Sequence, residues 1–245
     1  MRERPVIAAL GFLTAVPIGA RASEGDLRRG VVFFPFVGAL VGGLIGLVSW
    51  AASLVLPGVP AAVLGVAAGA AATGAFHLDG LADAADGIGA AMAGRDPGEA
   101  MSDPGLGTFG GIALVLDLLL KVSVLAALVG DESFPWEAVA AGVLGRMSIL
   151  GLALSIPYVG PADATGGWTR GLDRRRCVAG LLVGAAIGGP TAGIRFVPMT
   201  AATVIVCLVV GRWSARRLGG MRGDTFGAAA ELSETMALGA ALATV

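Results

Sequence analysis

Long, continuous apolar stretches broken by short polar ones dominate the chain. Apolar runs at roughly 31 to 56, 59 to 76, 106 to 130, 136 to 156, 178 to 194, 196 to 211 and 227 to 244 each approach the ~20 residues that carry a helix across a bilayer. Strands of a membrane barrel would alternate apolar and polar residues in shorter segments, so the pattern predicts helices. The expected architecture is all-α: a polytopic integral membrane bundle of about seven hydrophobic helices plus a short N-terminal helix, forming one membrane domain over residues 1–245.

Composition agrees with this solvent. Hydrophobic residues make up 56% of the chain, charged residues 14%, and mean hydropathy is +0.82, more apolar surface than one soluble core needs. Forty glycines beside a single tyrosine imply helices that approach closely through small residues. A net charge of -1 gives no electrostatic reason for a nucleic-acid partner. Cys177 and Cys207 lack metal-ligand spacing and read as small apolar fillers. At the start, Arg2, Arg4, the run Val6 to Val16 and the string Ala20-Arg21-Ala22 imitate a cleavable leader. Pro17 and Gly19 interrupt it, so a retained short or interfacial helix is the preferred expectation.

The position of charge sets the orientation. Arg21, Arg28 and Arg29, the loop with Arg95, the group Arg170 and Arg174 to Arg176, and the group Arg212, Arg216, Arg217 and Arg222 fall on one side of the predicted spans. The other side carries Arg195 alone. Because basic residues are enriched in cytoplasmic loops, the first side should face the cytoplasm, in a bacterial inner membrane.

Candidate chemistry gathers on that side. Six of the 18 acidic residues lie between Asp79 and Asp103. If His77 to Gly87 is helical, Asp79, Asp83 and Asp86 fall at i, i+4 and i+7, within about 60° of one another around the axis. Like charges so arranged repel unless a cation sits among them, and magnesium bridging to a diphosphate is the expected occupant. A merely solvated polar face is the alternative reading. His77 lies on the opposite side of that helix, as a hydrogen-bonding group or a base. Asp103 to Gly111 is a glycine-rich turn opening a span, where backbone N–H groups, at Gly107 and Thr108 among others, could receive a phosphate. Asp117 and Lys121, at i and i+4 inside a span, read as an ion pair or as substrate-facing groups. Arg146, with no partner on its own helix, is a candidate grip for phosphate. Asp224, Glu231 and Glu234 line one face of the last helix, a second carboxylate cluster on the same side.

These residues resemble the cobalamin synthase family, the adenosylcobinamide-GDP ribazoletransferases, over nearly the whole chain. The resemblance rests on FLTAVP (12–17), FFPFVGALVG (33–42), HLDGLADAADG (77–87), SDPGLGTFG (102–110), GRMS (145–148) and GDTFGAAAELSE (223–234). One departure is Ala15, where many members carry an arginine, which removes support for an anion-binding role of the first helix. The resemblance implies that adenosylcobinamide-GDP is joined to α-ribazole or its 5'-phosphate with loss of GMP. It implies Asp79, Asp83 and Asp86 as Mg2+ ligands, with Asp103, Asp224 and Glu231 as secondary candidates, and Arg146 holding the diphosphate. A carboxylate or His77 would receive the hydroxyl proton. The expected partners are therefore the corrinoid-GDP, α-ribazole (phosphate) and the lipid bilayer, with a homo-oligomer left open. Two rivals remain. A CDP-alcohol phosphotransferase would place an arginine soon after Asp-Gly, where this chain has Leu81-Ala82-Asp83. A transporter would show repeated broken helices, which are not visible.

Overall fold

The computed structural model describes residues 4–17, 23–131, 134–162 and 164–244. Arg2, Gly19 and the string Ala20-Arg21-Ala22 lie outside them. The described residues form helices, with no strand beyond one isolated bridge between Tyr158 and Met221. A short α1 (Arg4–Leu13) and α2 (Glu24–Gly30) lead into α3 (Phe34–Ser53). Next come α4 (Gly58–Thr73), α5 (Phe76–Met92), the single turn α6 (Pro97–Ala100) and α7 (Thr108–Leu128). The chain continues through α8 (Trp136–Ser155), α9 (Arg174–Ala192), α10 (Phe196–Arg217) and α11 (Gly223–Leu242).

Every apolar stretch of the pattern is a helix, but not every one is an independent span. By length and composition, four helical stretches qualify: Glu24–Ser53, Thr108–Leu128, Trp136–Ser155 and Arg174–Arg217. The last of these is two helices, because Gly193 takes a positive φ of 55° between α9 and α10. Gly180 and Gly184 of α9 meet Leu150 and Met147 of α8, an antiparallel order, whereas Cys207 and Gly211 of α10 meet Ser148 and Leu152 in parallel order. α9 and α10 are therefore a hairpin whose arms both lie against α8. α4 has only 16 residues and qualifies together with α5, from which it bends by 91°. α11 falls outside the apolar set because Asp224, Glu231 and Glu234 interrupt it. It is held in the bundle by charge pairing as well as by its buried alanines. α1, ten residues long, is half the length a span needs, and it buries Ala8, Ala9 and Leu13 against the end of the bundle.

Small residues set the packing. Along α3, a Cβ at Gly38 or Gly42 would collide with the carbonyl oxygens of Gly142 or Ala138 on α8, so these two backbones touch. The antiparallel order gathers the ends of the helices into two groups. Residues 24–34, 74–107, 156–173 and 218–223 share one end, and they carry Arg28, Arg29, Arg95, Arg170 and Arg222, with Arg174 to Arg176, Arg216 and Arg217 within a turn of it. Arg195, at the other end, is paired with Asp131 and Glu137 at 3.1 and 2.6 Å. At the arginine-rich end an aromatic cluster ties α1 to the rest. Phe12 stacks on Phe34 and meets Phe76 and Trp168 edge-on, with ring centroids 5.8, 5.4 and 6.2 Å away.

Candidate functional site at the arginine-rich end

The site is built on the bend between α4 and α5. Gly74 and Ala75 adopt successive left-handed conformations, φ 61° and 58°, and so turn α5 at a right angle to the span before it. α5 thus lies across the end of the bundle rather than through it. Its helical spacing brings Asp79, Asp83 and Asp86 to one face, the first exposed and the other two half-buried.

A fourth carboxylate joins them from α11. A Cβ at Gly80 would stand 2.9 Å from the carbonyl oxygen of Asp224 and 3.1 Å from the Gly227 Cα, so the two helix backbones are in contact there. That contact brings Asp224, in the first turn of α11, up to the acids of α5. The Asp83 carboxyl is pushed up to about 7, first by its burial and then by the charges of Asp224, Asp79 and Asp86. The crowding inferred from spacing on one helix is therefore a property of two.

Asp86 has partners of another kind. Its two oxygens accept the backbone N–H groups of Gly107 and Gly110 at 2.8 and 2.9 Å, at the start of α7. The anion at this helix start is thus supplied by the chain itself, and these two donors are engaged. Asp103, exposed, accepts the Gly105 N–H at 2.8 Å and shapes the glycine-rich turn. Asp86, Arg95, Asp103, Gly107 and Thr108 border a cleft of about 350 Å3 beside the turn. Arg222 fastens this segment to α11 by donating to the Gly98 carbonyl at 3.2 Å and the Ser102 hydroxyl at 3.1 Å. Spacing did not single out Arg95 or Arg222, since their nearness to the acids depends on how the loop folds back.

The other face of α5 closes over a buried ionic cluster. Lys121 of α7 donates to Glu231, and lies 3.9 Å from Glu234 and 4.0 Å from Asp117. Arg146 of α8 donates to Glu234 at 2.5 Å and is 1% exposed. Lys121 is thus shared among three acids rather than matched to Asp117 alone, and Arg146 finds its partner on α11. His77, 3% exposed, borders the same interior with its Nε2 unpaired, beside a cavity of about 20 Å3 that has room for roughly one water molecule. His77, Lys121, Arg146 and Glu231 accordingly lie beneath α5, while Asp79, Asp83 and Asp224 lie at its open side.

Among the described residues no three His, Cys, Asp or Glu side chains form a ready-made metal cage. The donor set nevertheless fits a hard cation that takes one or two carboxylates and completes its shell with water and substrate phosphate. Asp79, Asp83 and Asp224 offer only oxygen, and a cation would offset the repulsion that raises Asp83.

Fold and site together define a helical membrane protein with an acidic site on a surface-lying helix at its arginine-rich end. The comparisons with known proteins make the class specific. The family model for cobalamin-5-phosphate synthase matches residues 5–242, and the chain belongs to that family. An adenosylcobinamide-GDP ribazoletransferase of Klebsiella pneumoniae (strain 342) is 37% identical over 94% of this chain and 96% of its own length. Proteins of the same name from Ralstonia pickettii (strain 12J) and Shewanella frigidimarina (strain NCIMB 400) are 36% and 33% identical, over 96% and 92% of this chain and 93% and 89% of theirs. No solved structure matches.

Proposed function

We propose that this chain is an adenosylcobinamide-GDP ribazoletransferase, joining the corrinoid to α-ribazole or its 5'-phosphate and releasing GMP. The whole-length likeness to proteins of that name carries this reading, and the acidic face of α5 supplies suitable chemistry. A ribazole hydroxyl attacks the phosphorus attached to the corrinoid, a new P–O bond forms, and the bond to the GMP phosphate breaks. Charge builds on the leaving phosphate, so catalysis needs positioning and neutralisation.

Mg2+, when held by one or two of the carboxylates of Asp79, Asp83 and Asp224, would supply that neutralisation and lower the cost of bringing a diphosphate to a carboxylate cluster. The chain's own groups do the remainder. The open carboxylates of α5 are placed to receive the hydroxyl proton, whereas His77 is sealed beneath the helix. Arg95, which borders the cleft beside Asp86, and Arg222, whose charge acts on Asp224, suit contact with substrate phosphate, while Arg146, tied to Glu234, acts by holding α11 in place. The arginine-rich end would face the cytoplasm of a bacterial inner membrane, following the bias of basic residues toward that side.

The test is GMP release from adenosylcobinamide-GDP by purified protein with α-ribazole phosphate, with and without Mg2+, alongside Asp83→Asn. Release that requires Mg2+ and is lost in the variant supports both the reaction and the ion. Release indifferent to chelator would overturn the magnesium assignment, and no release by folded wild-type protein would overturn the reaction.

A further inference from the structure

A second feature lies among α8, α9 and α10, none of which carries the acidic face. Between α8, α9 and α10 runs an apolar trough of about 480 Å3, walled by Met147, Leu152, Leu181, Val204 and Leu208, among others. It exists because the α9–α10 hairpin straddles α8 and because Gly151, with nothing within 4 Å of where a Cβ would stand, leaves space between the helices. Along α10 the trough runs from Thr200 to Ala215, about 22 Å at the helical rise of ~1.5 Å per residue. One leaflet of a ~30 Å hydrocarbon core is about 15 Å deep, so the trough reaches from the bilayer interior to its boundary.

Its boundary end is the arginine-rich end. Arg212 itself lines the trough. Arg174 stands seven residues before Leu181, two turns along the same face of α9, and so overhangs the mouth. Both side chains are exposed, and neither forms a hydrogen bond or ion pair with the described residues. Arg28 and Arg176 of this end are, by contrast, matched, to Glu24 at 2.7 Å and to Asp173 at 3.7 Å.

We propose that this trough binds one anionic phospholipid, its acyl chain along α10 and its phosphate between Arg174 and Arg212. The apolar depth suits a hydrocarbon chain of one leaflet. Two uncompensated guanidiniums suit a phosphodiester, which they can grip bidentately. A zwitterionic lipid would fill the trough equally but bring its own cation to the two arginines, so the charge at the mouth selects the anionic headgroup.

The experiment is native mass spectrometry of delipidated protein in detergent, titrated with phosphatidylglycerol or phosphatidylcholine of matched chains. The wild type should retain phosphatidylglycerol more tightly, by about fivefold for each arginine engaged. The double variant Arg174→Gln/Arg212→Gln should reduce that preference to parity. Arg217→Gln should keep it, since Arg217 lies one turn beyond Trp213, on the side of α10 away from the trough. Leu208→Trp, at an exposed lining position, should weaken retention of both lipids by filling the trough, and it tests the site even if the double variant fails to fold. Equal retention of the two lipids by the wild type, or undiminished retention in Leu208→Trp, would overturn the proposal.

Discussion

The carboxylate of Asp86 accepts the backbone N–H of Gly107 at 2.8 Å, so a residue on the acidic face of α5 fixes the start of α7. The same carboxylate takes the Gly110 N–H, and without it two donors at the head of α7 would turn to water. Asp86→Ala should therefore cost about 1–2 kcal/mol, as loss of a helix cap does, and Asp86→Asn less because one acceptor remains. Unfolding midpoints in detergent, with proteolysis of the 95–107 loop as a local readout, would show it. Equal stability of wild type and Asp86→Ala would mean that the contact contributes nothing.

Beneath α5, removing one member of an ion pair strands the other. Glu234→Ala leaves Arg146, 1% exposed, with no carboxylate at 2.5 Å, and should destabilise by about 3–5 kcal/mol. Replacing both partners with apolar residues of similar size, Arg146→Met with Glu234→Leu, should recover most of the loss. A double variant as unstable as the single would show that the pair is not what Glu234 contributes.

Asp83 makes stability depend on pH with a definite sign. Its carboxyl is raised from 3.8 to about 7 in the folded protein, so the fold favours the protonated form. That contribution is fully present below about 3.8 and is lost as the pH rises through about 7. In chelator, Asp83→Asn should raise the thermal midpoint by a few degrees at pH 8 and by less at pH 5. Added Mg2+ should stabilise the wild type at pH 8 but not the variant. A midpoint difference that grows on acidification would contradict the crowding of the four carboxylates.

Ala75 takes a φ of 58° that glycine adopts without penalty. Ala75→Gly should leave the bend intact and stabilise the protein by about 1 kcal/mol. A lower unfolding midpoint in that variant would show that the alanine methyl packs well enough to outweigh its backbone.

Much of the architecture was legible because lipid imposes a strong and simple pattern. The apolar stretch at 136 to 156 is α8, Trp136–Ser155, almost to the residue, since a span begins and ends where polar groups can reach water. The common face of Asp79, Asp83 and Asp86 was legible too, for it depends only on the period of one helix. What escaped the pattern depends on distant segments meeting. Asp224 reaches Asp83 through the contact of Gly80 with Gly227, Asp86 turns to a helix 21 residues later, and Arg146 is met by Glu234, 88 residues on. The count of independent spans escaped for a similar reason. α11 carries an apolar run that acids interrupt, and only Lys121 and Arg146, on other helices, explain how those acids are tolerated.

The contact between Gly80 and Gly227 also bears on how this protein can change over generations. A Cβ at Gly80 would stand 2.9 Å from the Asp224 carbonyl oxygen, so the smallest available step there, glycine to alanine, would wedge α5 from α11 and part Asp83 from Asp224. Selection has no gradual path there. On the lipid-facing sides of α7 and α10, where Leu116 and Val209 are 62% and 64% exposed, one apolar residue replaces another freely. Variation among descendants of this chain should therefore collect on its oily exterior, with the seam under the acids as its slowest-moving line.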